Sequence, residues 1–176
     1  VKYQTGSYQN GSHSGSALLF GVNEQMGQVL AVELLAGRLF TAGEASGMVR
    51  RVVVSQSLAE QLYGRTNVTG QRLYLTVAGQ EQIFETIGII RDQTQHLSGI
   101  AGPAVPTVIY LPYALLADAN QAADQVLLSC TGDTETVKRQ LSAVAQGPLG
   151  LRSTIGVQNL SGYLSTVDDL AQKAVW

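Results

Sequence analysis

The stretch from Gly70 to Ile90 constrains the fold more than any other part of this 176-residue chain. In "GQRLYLTV", Leu73, Leu75 and Val77 alternate with Arg72, Tyr74 and Thr76, the period of two that buries one face of a strand and leaves the other in water. Ala78-Gly79-Gln80 then supplies a turn into "QIFETIGII", so the two runs predict an antiparallel hairpin.

A second constraint comes from "VVVSQSLAEQLYG", residues 52–64, where a β-branched run meets a polar break and a short helical pattern. The order suggests a nucleotide site, but a phosphate cradle needs glycines in the turn so that the backbone can approach the ligand. "SQSLAE" has none. The stretch therefore reads as a strand, Arg51 to Val54, followed by a helix that Ser57 and Glu60 open as an S-x-x-E capping box, with Leu58 and Leu62 inward and Gly64 at its end.

The other elements follow from similar signals. Residues 1–16, "VKYQTGSYQNGSHSGS", are polar with a turn signal at "NGS" and read as a hairpin or a loose edge. "ALLFGV" is a buried strand, after which Asn23 caps a helix reaching about Val32, with Met26, Val29 and Leu30 on one face. Gly37 is then the helix-ending or turn glycine. The residues from Arg91 to Pro106 form a long aperiodic loop leading to a strand, "TVIYLP". Beyond Asp124, "QVLLSC", a helix capped by Asp133 or Thr134 with Val137, Leu141 and Val144 on one stripe, and "LRSTIGV" make a βαβ pattern. Asn159 caps a last helix carrying Leu160, Leu164, Val167, Ala171 and Ala174. The change of style near residues 113–124 suggests two lobes.

Composition narrows the function. Forty-five per cent of residues are hydrophobic and 14% charged, enough for a buried core. The net charge is −2 and the eleven Lys and Arg residues are scattered, which argues against a nucleic-acid partner, since phosphate neutralisation needs a basic stripe. Cys130 is the only cysteine, and His13 and His96 are far apart, so neither a disulfide framework nor a metal cage is legible. No apolar run approaches the roughly 18 to 20 residues that span a bilayer. The absence of an initial Met and the break at "AQKAVW" suggest a fragment of a longer protein.

The chemical candidates are few. His96, with Arg91 and Asp92 nearby, is either a general base or a solvated loop histidine, and no nucleophile motif accompanies it. Asp168 and Asp169 are adjacent on one helix and point apart, so they are no catalytic pair. Cys130 sits in an apolar run with no basic neighbour to activate it. Tyr74, Tyr110 and Tyr113 either form a binding face or pack between lobes. No catalytic, cofactor or metal residues are expected.

The order of short motifs carries a resemblance. Gly37-Arg38-x-Phe40, then a V-V-V-S strand whose helix ends in Leu62-Tyr63-Gly64, then Gly70 to Leu73, then Phe84 to Ile89 around Gly88, then Ile109 to Tyr113 with Pro112, together resemble the MacB-like periplasmic core domain of ABC transporter permeases. The resemblance implies an α+β, two-lobed extracytoplasmic domain inserted between the first and second membrane helices of a four-helix permease. A hairpin-rich Sabre-like lobe would cover 17–113. Residues 1–16 and the βαβ half at 114–160 would belong to a Porter-like lobe whose first half precedes residue 1, and 161–176 would lead towards the membrane. It further implies no enzymatic activity in this domain, an ATP-binding cassette subunit or domain as partner, a second permease copy, and a periplasmic adaptor or cargo. The rival expectation is a stand-alone α+β ligand-binding domain or small enzyme with the 92–106 loop as a lid.

Overall fold

The computed structural model describes residues 2–77, 79–92, 107–116 and 133–146. The expected strands at "QVLLSC" and "LRSTIGV", the final helix, His96, Cys130, Asp168 and Asp169 lie outside the described residues. The chain divides into two compact units, Val1–Leu127 and Leu128–Trp176.

The first unit is built on one sheet. Strand β1 (Lys2–Asn10) turns at Gly11 into β2 (His13–Val22), pairing from Lys2↔Gly21 to Asn10↔His13. The polar N-terminal segment is therefore the hairpin, and β2 runs unbroken through residues 16 and 17 into the apolar "ALLFGV". The hairpin read from the alternating pattern is also present. Strand β5 (Arg72–Val77) pairs antiparallel with β6 (Gln80–Ile90) from Arg72↔Glu85 to Val77↔Gln80.

Between these hairpins the chain departs from the expected helix. The first helix, α1 (Met26–Val29), is a single turn: Asn23 Oδ1 accepts the Gln25 N–H, and Ala31 at φ 48° turns the backbone before Val32 can continue it. Residues Leu34–Gly37 then form a short strand, β3, and Ala42–Ala45 a one-turn helix, α2, where no element was expected. Gly37 accordingly ends a strand rather than a helix. Strand β4 (Arg51–Ser55) leads directly into α3 (Gln56–Tyr63), which ends at Gly64 in the left-handed conformation.

Strand β7 (Val108–Pro112) runs parallel to β2 and antiparallel to β4. Pairing therefore runs β6–β4–β7–β2–β1–β5, and β5 returns to β6 and closes a six-stranded ring with β3 attached to β6. Closure removes most free edges. Two apolar layers follow from the strand alternation. One draws on all six ring strands, with Tyr8, Leu19, Val54, Leu75, Phe84 and Ile109 among its members, and therefore fills the interior; Leu58, Ala59 and Leu62 of α3 add to it. The other lies outside, where Phe20, Val53, Ile87 and Tyr110 are covered by Met26, Leu30, Phe40 and Ala45 from the β2–β4 connection.

In the second unit, α4 (Thr134–Gln146) is the helix read from the Val137 and Leu141 spacing. Asp133 caps it, its Oδ2 accepting the Thr136 N–H at 2.9 Å and hydroxyl at 2.6 Å.

Candidate functional site

The residues singled out by motif fall into three places. Gly37, Arg38, Phe40, Gly70 and Gly88 surround one stretch of β6. At that point β3 stops pairing with β6 at Gly37↔Gly88, Arg38 N–H donates to Ile87 O at 2.9 Å, and Gly70 N–H donates to Thr86 O at 2.7 Å. Phe40 is buried in the outer layer. Gly64 is separate, at the end of α3. Pro112 and Tyr113 mark the end of β7 and the start of a 3-10 turn (Tyr113–Leu115), where a Cβ on Gly21 would crowd Tyr113 Cα and Leu116.

Around the first place sits an ion cluster whose centre the sequence reading missed. Glu44, on α2, is only 8% exposed. Arg38 Nη1 and Nη2 donate to its two carboxylate oxygens at 2.6 and 2.7 Å, Arg51 Nη1 makes a further short contact, and Thr41 donates both N–H and hydroxyl at 3.0 Å. The Arg38 guanidinium, foremost among these partners, holds the Glu44 carboxyl well below the usual carboxylate range. In turn, Glu44 raises the pKa of Arg38. The signal for this cluster was present as T-x-x-E at Thr41 and Glu44, directly after Phe40.

The capping box expected at Ser57 and Glu60 does not form. Ser55 is the residue before α3, and Ser57 turns its N–H and hydroxyl to Asp92 Oδ1 at 3.1 and 3.0 Å, while Glu60 accepts from Gln56. Beside Asp92, Arg91 pairs with Glu33 through two hydrogen bonds at 2.6 and 2.8 Å, which lowers the Glu33 pKa. Both side chains are over half exposed, so the pair adds little stability.

Next to the Glu44 cluster the surface opens into a groove of about 300 Å³, lined by Gly37, Arg38, Arg51, Thr69, Glu85 and Ile87. Arg51 Nε reaches Glu85 Oε2 at 3.5 Å across it. The three tyrosines do not share a face. Tyr110 is buried edge-on to Phe20, Tyr74 is exposed opposite Ile83, and Tyr113 opens the 3-10 turn, on strands separated by β1 and β2. Among the described residues no three His, Cys, Asp or Glu side chains are grouped to hold a metal, and no helix is long and apolar enough to cross a membrane.

Comparison with known proteins agrees with this architecture. The macrolide export ATP-binding/permease protein MacB of Aggregatibacter actinomycetemcomitans is 30% identical over 99 residues, covering 56% of this chain and 14% of that protein. The periplasmic region of MacB from Actinobacillus actinomycetemcomitans superposes with a TM-score of 0.69 at 18% identity, over 95% of this chain and 73% of that one. The extracellular domain of the noncanonic ABC-type transporter YknZ from Gram-positive bacteria gives 0.51 at 21% identity, over 65% and 53%. Those two likenesses are of fold. The sequence model of the MacB-like periplasmic core domain matches residues 1–144. With that much of its length matched, the chain belongs to the MacB-like periplasmic core domain family, extracytoplasmic domains of bacterial ABC transporter permeases.

Proposed function

We propose that this domain relays conformational change outside the membrane, driven by ATP hydrolysis on a separate nucleotide-binding domain or subunit, to export a peptide, antibiotic or lipoprotein or to signal to a partner. The observation that carries the reading is the fold shared with the periplasmic region of MacB over 95% of the chain. In this reading residues 17–113, together with the β1 strand that pairs with them in the same ring, act as a Sabre-like lobe, and 114–160 act as half of a Porter-like lobe. Residues 161–176 lead to the membrane, and the permease works as a dimer with an adaptor or cargo at its outer face. The closed ring suits a lobe that moves as a body, because strand pairing without free edges resists local deformation.

The test places one label in each compact unit of the full-length permease with its ATP-binding partner. Gln61 on α3 and Gln140 on α4 are exposed; the double variant Gln61→Cys/Gln140→Cys, with Cys130→Ser, takes spin labels at these two sites. Trapping the ATP-bound state should change the distance distribution, and ADP should restore it. An unchanged distribution through a turnover cycle that still consumes ATP would overturn the mechanical reading.

A further inference from the structure

The groove beside Glu44 has more hydrogen-bond donors than the chain uses. A guanidinium has five N–H donors in a fixed fork. Arg38 gives two to Glu44 and one to Leu39 O, and Arg51 gives one to Glu44 and one to Glu85, so two donors on Arg38 and three on Arg51 have no acceptor among the described residues. Both side chains line the groove and are 48% and 35% exposed.

Glu85 is the movable member. It is half exposed and meets Arg51 only at 3.5 Å. Directly opposite it on β5 stands Arg72, its register partner. Glu85 therefore has a second cation to turn to, and when it turns Arg51 Nε is released. On the same face of β6, two residues before Glu85, lies Ile83, 44% exposed, with Tyr74 beside it on β5; Ile87, two residues after Glu85, is buried in the outer layer and only borders the groove. A charged slot with an exposed apolar pair on one side fits an acidic residue that has an apolar neighbour.

From this geometry we infer that the groove is a docking site for an acidic segment of a partner protein, whose carboxylate takes the free donors of Arg51 and Arg38 while Glu85 swings to Arg72. A carboxylate suits the slot because it replaces Glu85 charge for charge. A doubly charged anion would bring one negative charge more than Glu85 takes away, next to the Glu44 carboxylate. Bidentate guanidinium–carboxylate pairing supplies the specificity.

The probe is the peptide acetyl-Gly-Leu-Glu-Leu-Gly-amide, with its Gln-for-Glu version as control, titrated into the whole chain while arginine Nε–H signals are followed by NMR. The Glu peptide should shift Arg51 and Arg38 saturably, and the Gln peptide should not. Arg51→Gln should weaken binding about tenfold, whereas Glu85→Gln, which removes the internal competitor and leaves the Glu44 cluster intact, should tighten it several-fold. Arg50→Gln should leave it unchanged, since the Arg50 side chain pairs with Gln82 and is not among the groove's lining residues. No saturable shift up to about 10 mM, equal loss in Arg50→Gln and Arg51→Gln, or weaker binding by Glu85→Gln would each overturn the proposal.

Discussion

Gly37 and Gly88 face each other across the β3–β6 pair, and neither has room for a Cβ: one on Gly37 would strike Ile87 O, and one on Gly88 would strike Arg38 O. This close approach brings Arg38 alongside β6 and so sets one wall of the groove. Gly88→Ala is expected to destabilise the chain by about 1–3 kcal/mol through overpacking. Gly37→Ala should cost more, because its φ of 73° adds backbone strain to the collision. Gly79→Ala, at φ 76° with open space around it, isolates the strain alone and should cost about 1 kcal/mol. Urea unfolding midpoints of the three variants order these effects.

Glu44 fastens the β3–α2 connection, through Arg38 and Thr41, to β4, through Arg51. Glu44→Gln leaves two guanidiniums without a buried carboxylate and is expected to cost about 2 kcal/mol at pH 7. The sign with pH follows from the depressed carboxyl. The folded protein binds this proton less readily than the unfolded chain, so the contribution is complete above the ordinary value of 4.5 and declines as pH falls below it towards the folded value. The stability difference between wild type and Glu44→Gln, measured from pH 7 to pH 3, should therefore shrink only below about pH 4.5. A difference that is flat across that range would contradict the cluster's role.

How much was legible divides along the same line. The β5–β6 hairpin, the β4–α3 unit and the Asp133 cap could be read because their signals are local: alternation, a β-branched run before a helical period, and a carboxylate three residues from its donor. Ring closure was not legible. The β1–β5 contact at Tyr8↔Leu75 joins residues nearly seventy apart and leaves no periodic mark. The stretch after Asn23 misled because its apolar spacing is helical, yet Met26 and Leu30 are buried by a single turn laid over Phe20 and Tyr110. At the candidate site, Gly37, Arg38 and Gly88 were picked out by motif order, but Glu44 was passed over because the T-x-x-E signal precedes a helix of only four residues.

The Ser57–Asp92 contact shows the same limit and carries a prediction. The sequence offers Glu60 as the local partner, and the fold instead caps α3 from 35 residues away. Asp92→Ala should lower stability by about 1 kcal/mol, the usual worth of a lost cap, and Glu60→Ala by much less. Amide exchange should quicken in the first turn of α3 in Asp92→Ala and stay unaltered in Glu60→Ala.

The Tyr110 hydroxyl is buried with no hydrogen-bond partner among the described residues, in a layer otherwise made of apolar side chains. A buried phenol hydroxyl without a partner has lost its water and gained nothing in exchange, so removing it costs no bond. Tyr110→Phe keeps the ring, and with it the edge-on contact to Phe20 at 5.9 Å between centroids. The substitution is therefore expected to be neutral or to stabilise by up to about 1 kcal/mol, against the usual direction for a core change. Burial also pushes the Tyr110 phenol far above the ordinary tyrosine value, so its ionisation should be missing from an alkaline absorbance titration of the folded chain. Destabilisation by Tyr110→Phe beyond about 1 kcal/mol would mean that the hydroxyl has a partner, an ordered water being the simplest, and that the outer layer is wet at that point.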